Sequence, residues 1–196
     1  VSDRLLIVGL GNPGSKYAET RHNAGFWFLE RLLREVGVGL KAQPRQQAEC
    51  ARANWGGRDL VLAKPTTFMN HSGQAVRALV DFYKIEPEHI LVAYDELDLP
   101  PGIARLKSGG GHGGHNGIRD MIRHLGSPDF LRLRIGIGHP GNKDAVTRYV
   151  LSRSPAEQRS EIDGAIDQAL DVMPLVLGGR LQEAMTRLHT QSQMKP

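Results

Sequence analysis

Cysteine is almost missing: Cys50 is the only one in 196 residues. A single thiol excludes a disulfide scaffold and any cysteine-rich metal site, and it suits a reducing, cytoplasmic setting. Aromatic residues are scarce at 6%, which leaves little material for the stacking platform of a non-catalytic RNA-binding module. No apolar run approaches the roughly 18–20 residues of a membrane span, so no membrane partner is expected. The opening VSDRLLIVGLGNPG has one short apolar stretch, stopped at once by glycine and proline, and it reads as a strand rather than a signal peptide. No Gly-x-Ser-x-Gly elbow, Walker loop or His-Glu-x-x-His pair occurs.

Glycine, by contrast, is plentiful: 23 of 196 residues, against a usual share of about 7%. Charge is uneven. Residues 101–150 hold eight basic side chains, among them Arg105, Lys107 and Arg134, and three acidic ones, although the whole chain is only +4. A basic excess beside a glycine-rich loop fits a polyanion or phosphate partner, and it fits a solvated face equally well.

The hydrophobic pattern predicts strands at Leu5–Val8, Ala51–Trp55, Asp59–Ala63, Ile90–Ala93, Ile103–Leu106 and Leu131–Ile137. The last alternates apolar and basic residues like a half-exposed strand. Helices are expected from about Asn23 to a cap at Gly37, from Ser72 or Gly73, over Ile118–Leu125, and from Asp144 onward. On the first of these, Phe26, Leu29, Leu33 and Val36 form the apolar face. No linker or composition break divides the chain, so residues 1–196 read as one α/β domain, with a parallel or mixed sheet, helices on both faces and a frayed tail over 190–196.

Two glycine loops stand out. Gly9-Leu10-Gly11-Asn12-Pro13-Gly14 matches G-x-G-x-x-G, the pattern of a nicotinamide- or nucleotide-dependent oxidoreductase. Pro13 removes a backbone donor, and the next helix starts nearly ten residues later, so the loop reads better as a platform for Asn12 at a strand end. The second loop runs from Gly109 to Gly117, with His112, His115 and Asn116 embedded in it, and leads straight into a helix. That is favourable for an anion and poor as a metal cage, so no metal and no cofactor are expected. His22, in a Thr-Arg-His-Asn turn before a helix, is the titratable group best placed for chemistry. Asp95, at a strand end, is the natural carboxylate to orient it, and spacing alone leaves Glu96 and Asp98 as alternatives.

Taken together, the segments resemble the bacterial peptidyl-tRNA hydrolases. The matching pieces are Val8 to Gly14 with Tyr17 and Thr20-Arg21-His22-Asn23-Ala24-Gly25, then Pro65-Thr66-Thr67-Phe68-Met69-Asn70 with Ser72-Gly73. Asp95 to Gly102, Gly109 to Gly117, and Arg132 to Gly141 complete the set, in the family's order, from residue 5 to about 141. Tyr94 departs from the histidine of many relatives, and His71 fills a variable position.

The resemblance implies a monomeric, metal-free enzyme with a twisted mixed sheet that hydrolyses the ester between a peptide and the 3′ end of tRNA. It implies His22 as base, Asp95 as its carboxylate partner and Asn12, Asn70 and Asn116 as polar groups around the ester, with Phe68, Met69 and His115 in the same cleft and Tyr17, matched beside the first loop, as a substrate-binding residue. It implies attack by water without a covalent intermediate. It also implies a basic clamp, for which Arg105, Lys107 and Arg134 are candidates, on the acceptor stem near its 5′ phosphate.

Overall fold

Leu5–Gly9 forms β1, the middle strand of the sheet, and every residue of it is buried. Its side chains alternate as a strand requires: Leu5 and Ile7 enter one core, Leu6 and Val8 the other. A strand apolar on both faces must be covered on both faces, and the rest of the chain supplies the covers. The computed structural model describes residues 3–193. Among them, seven strands form a single mixed sheet in the order β2-β3-β4-β1-β5-β7-β6. The others are β2 (Lys41–Gln43), β3 (Ala48–Trp55), β4 (Arg58–Pro65), β5 (Ile90–Glu96), β6 (Ala104–Ser108) and β7 (Leu131–Gly136). β4, β1, β5 and β7 run parallel; β2, β3 and β6 are antiparallel to their neighbours.

The helices are α1 (Ala24–Val36), α2 (Ser72–Tyr83), α3 (Asn116–Leu125), α4 (Val146–Val150), α5 (Ala156–Leu177) and α6 (Leu181–Gln193). One face of the sheet is covered by α1, α5 and α6 through Trp27, Phe28, Leu32, Ile166, Met173 and Leu188. The other is covered by α2 and α3 through Val76, Leu79, Ile118 and Met121. After β1 the chain moves to one side of it, through α1 and the β3–β4 hairpin. After β4 it crosses, through α2, to β5 on the other side. That reversal at β1 opens a crevice at the carboxyl ends of β1 and β5, the position where open α/β sheets collect their sites.

Close backbone contacts bring the first helix to that crevice. A Cβ at Gly25, near the start of α1, would stand 2.2 Å from the Ala93 carbonyl oxygen, and a Cβ at Gly9 would stand 2.3 Å from the Gly25 carbonyl oxygen. A Cβ at Gly11 would strike the ring of Phe26. These glycines of the G-x-G-x-x-G match therefore serve helix-on-strand packing, and α1 begins only at Ala24. The geometry gives no pyrophosphate cradle.

Several elements differ from the sequence reading. β2 went unrecognised, because three exposed or half-exposed edge residues carry no apolar pattern. The buried stripe of α1 is wider than expected and takes in Trp27, Phe28 and Leu32, because the helix is wedged between the sheet and α5. β7 is not half-exposed: Arg132 is 1% exposed, with loop carbonyls folded over its guanidinium. α5 follows a break after α4 instead of continuing it. The expected frayed tail over 190–196 is helical in α6 as far as Gln193, and residues 194–196 lie outside the described residues.

Gly25→Ala should destabilise the protein by about 1–3 kcal/mol in urea melts, because a methyl group there must displace backbone. It should also lower turnover, since α1 carries the preceding His22 turn with it. Parent stability in this variant would contradict the close approach.

Candidate active site

Asp95 lies inside β5, two residues beyond Ala93, and is 3% exposed. A carboxylate there must be fully hydrogen-bonded to remain charged. Two imidazoles do this. His22, in the single 3-10 turn Arg21–Asn23 before α1, brings Nδ1 to 2.7 Å from Asp95 Oδ2. His115, the N-cap residue of α3, brings Nε2 to 2.8 Å from Asp95 Oδ1. The two rings are 5.1 Å apart, centre to centre.

The proton positions follow from the partners. His115 Nδ1 accepts from the backbone N–H groups of Gly117 and Ile118 at 3.1 and 3.3 Å. Its proton therefore sits on Nε2 and is donated to Asp95. His22 donates from Nδ1 to the other carboxylate oxygen, which leaves its Nε2 lone pair as the free end of the ring. Burial pushes the His22 imidazole down, and the charge and hydrogen bond of Asp95 more than reverse this, so it stands above its ordinary value. Burial pushes Asp95 up, and the two histidines override it and hold the carboxyl well below the usual carboxylate range.

His22, Asp95 and His115 also form a metal-type donor set, with candidate ligand atoms all within 4.8 Å of one another. Their hydrogen bonds use those same atoms: both carboxylate oxygens take an N–H, and His115 Nδ1 is occupied by backbone. The arrangement is built to hold protons. Cys50 is no rival nucleophile: it is buried in the core, where burial pushes its thiol up to about 12.

A cleft of about 730 Å³ opens over this pair, and Asn12, Tyr17, Phe68, Met69, Asn70, His115 and Asn116 line it with His22 and Asp95. Asn12 is held at both ends. Its backbone N–H and C=O pair with the Asn23 side chain at 2.8 and 2.9 Å, and its Oδ1 accepts from the Met69 N–H at 2.7 Å. The amide nitrogen of Asn12 is the end left over. Phe68, 55% exposed, meets Tyr17 edge-on at the rim. Glu96 and Asp98, the alternative carboxylates, also line the cleft, but neither bonds to His22.

Arg105, Lys107 and Arg134 do not line the cleft. Arg134 stands opposite Tyr94 in the sheet, with Arg105 opposite Arg134 on the next strand. At about 4.8 Å per strand, that puts β6 roughly 10 Å sideways from β5. Arg134 approaches Glu96 at 3.4 Å, and Lys107 lies against Gly110. Sequence reasoning missed the cleft-lining cations Arg119 and Lys143, the neighbouring His139, and the apolar wall of Val146, Val150 and Leu151. It also missed Asn23, although the Thr-Arg-His-Asn turn contains it, and the bond between His115 and Asp95.

Sheet, crevice and side-chain geometry define an α/β protein with a buried imidazole–carboxylate cluster under a cleft at the carboxyl edge of its central strands. Comparison with known proteins makes this specific. The chain matches the peptidyl-tRNA hydrolase family over residues 6–196. It is 56% identical to the peptidyl-tRNA hydrolase of Halorhodospira halophila over 184 residues, 94% of this chain and 95% of that one. It is 54% identical to that of Marinobacter nauticus, over 96% of each chain. The crystal structure of peptidyl-tRNA hydrolase from Acinetobacter baumannii superposes with a TM-score of 0.93 at 52% identity, covering 96% of both chains. The chain belongs to the peptidyl-tRNA hydrolase family, and its activity is hydrolysis of the ester bond of peptidyl-tRNA. No helix among the described residues is long and apolar enough to cross a membrane.

If His22 must lose its proton for turnover, the acid limb of kcat/KM should have its midpoint above about 6.5, the ordinary imidazole value. In Asp95→Asn the charge that raises His22 is gone while burial remains, so the midpoint should move below 6.5 and kcat should fall by roughly 10²–10⁴. An unmoved acid limb would contradict the coupling.

Proposed function

We propose that His22 acts as general base on a water molecule that attacks the ester carbonyl joining the peptide to the 3′ end of tRNA. The observation that carries this reading is the buried Asp95 carboxylate on His22 Nδ1, which leaves Nε2 as the free proton acceptor beside the cleft. Nε2 takes a proton as the water oxygen bonds to the carbonyl carbon. The resulting imidazolium is stabilised by Asp95 and returns a proton to the ribose oxygen as the carbon–oxygen bond breaks. The products are a peptide carboxylic acid and tRNA with a free hydroxyl, and no acyl group passes through the protein.

The oxyanion of the tetrahedral intermediate needs donors that do not titrate. The Asn12 amide nitrogen fits, because its Oδ1 is already held by Met69 and the group arrives oriented. Asn70 and Asn116 line the same cleft and supply further amides for the ester and terminal ribose. Phe68, Met69, Tyr17 and His115 form the surrounding wall.

The tRNA body lies beyond the cleft. Arg105, Lys107 and Arg134 offer cations along the β6–β7 ribbon, suited to the acceptor stem and its 5′ phosphate. All of these groups come from one chain, so the enzyme is proposed to work as a monomer. The lone, buried cysteine suits the cytoplasm.

His22→Ala should abolish most turnover of purified peptidyl-tRNA, by about 10²–10⁴, while tRNA binding survives. Turnover at the parent rate would reject the base. Alanine at Arg105 or Lys107 should weaken tRNA binding and reduce the slope of log Kd against log salt by about 1 for each phosphate no longer neutralised. An unchanged slope and affinity would reject the clamp.

A further inference from the structure

Arg132 is among the most buried side chains of the protein, and the reaction outlined above does not use it. Packing alone does not call for a guanidinium near the start of β7. An apolar side chain of similar volume fills such a space without the cost of removing a charge from water. The hydrogen bonds of Arg132 show what the charge does. One terminal nitrogen donates to the Gly111 carbonyl, and the other to the Gly110 carbonyl and, at 3.1 Å, to that of Pro128. The ring of Phe130 lies under the guanidinium, 4.5 Å from its carbon. Tyr94, buried on the neighbouring strand β5, lies close enough for the Arg132 charge to act on its hydroxyl.

The loop held in this way is the one that delivers His115. Six of the nine residues from Gly109 to Gly117 are glycine, and Gly109, Gly110, Gly113 and Gly114 all have positive φ. Such a segment has the greatest conformational freedom to lose, so its shape must be imposed from outside. One end is fixed by the Gly109 N–H bond to Phe130, and the next two carbonyls by Arg132. A tight turn, with His115 N–H bonded to the His112 carbonyl, then carries the chain to the α3 cap. Tyr94 closes the circuit: its ring stands edge-on to His115, 5.0 Å between centres.

We propose that Arg132 and Tyr94 are a positioning pair for the reaction. They lock the loop of residues 109–114 so that His115 meets Asp95, and neither touches the substrate. Its kinetic part rests on the reading of His22 as base. When His115 drifts away, Asp95 keeps only the His22 donor and its charge acts on that ring alone. His22 is faced by Asp95 from β5 and by His115 from the α3 cap, and the same cleft holds Glu96, Asp98, Arg119 and Lys143. Of these, the group the loop controls is His115, and its withdrawal moves the acid limb upward in pH.

The test compares Arg132→Met, Arg132→Lys and Tyr94→Phe in the full chain, by steady-state kinetics across pH and by amide hydrogen exchange. Arg132→Met should lower kcat by roughly 10- to 100-fold, with KM near the parent value and the acid limb shifted to higher pH. Arg132→Lys, which keeps a cation but not the fork, should recover part of this, and Tyr94→Phe should show a smaller change of the same kind. The Gly117 and Ile118 amides, which depend on His115 Nδ1, should exchange faster while those of α5 do not. Exchange is read without reference to turnover, so a failure of the His22 reading leaves it standing. If Arg132→Met does not fold, the other two variants decide. Unchanged exchange in the folded variants would overturn the clamp. Faster exchange with parent kcat and an unmoved acid limb would overturn its role in the reaction.

Discussion

A carboxylate buried in the central sheet, with one imidazole on each oxygen, is the constraint around which this protein is arranged. Asp95 is tolerable in β5 only because His22 and His115 both donate to it. Those two residues come from elements far apart in the chain: the turn before α1, and the cap of α3. For both rings to arrive, α1 must approach β1 and β5 at backbone contact, and α3 must start at one defined place on the other side. The glycines at 9 and 25 meet the first demand by lacking a side chain. Arg132 meets the second by tying down a loop that would otherwise wander.

The same carboxylate settles the division of labour between the histidines. Backbone donors at the start of α3 occupy Nδ1 of His115, so that ring is a fixed donor. Its neighbour keeps a lone pair beside the cleft. Two similar rings on one acid therefore differ in chemistry because of a helix cap, and the local charge leaves the His22 imidazole above its ordinary value. In the proposed mechanism, this gives the hydrolytic activity an acid–base site that stands ready before substrate arrives.

Much of the fold was legible in the sequence because the signals were local. Leu5–Val8 and Ile90–Ala93 are apolar on both faces, as central parallel strands must be, and Gly37 caps α1 with a left-handed φ of 80°. The miss at β2 and the misjudged burial of Arg132 have one cause. Their state is set by neighbours distant in sequence, and a short polar edge or an alternating basic strand looks the same whether covered or bare. The site divides similarly. His22 and Asp95 are conspicuous by position, and the register of β5 separates a buried Asp95 from the more exposed Glu96 and Asp98. That His115 shares the same carboxylate is written only in three dimensions, since no spacing rule links residue 95 to a helix cap at 115.

The tautomeric state of the two rings, read by nitrogen NMR of histidine-labelled protein at alkaline pH, tests the shared carboxylate most directly. Opposite tautomers are predicted, with the His22 proton on Nδ1 and the His115 proton on Nε2. The same tautomer in both, or a His22 proton on Nε2, would contradict it.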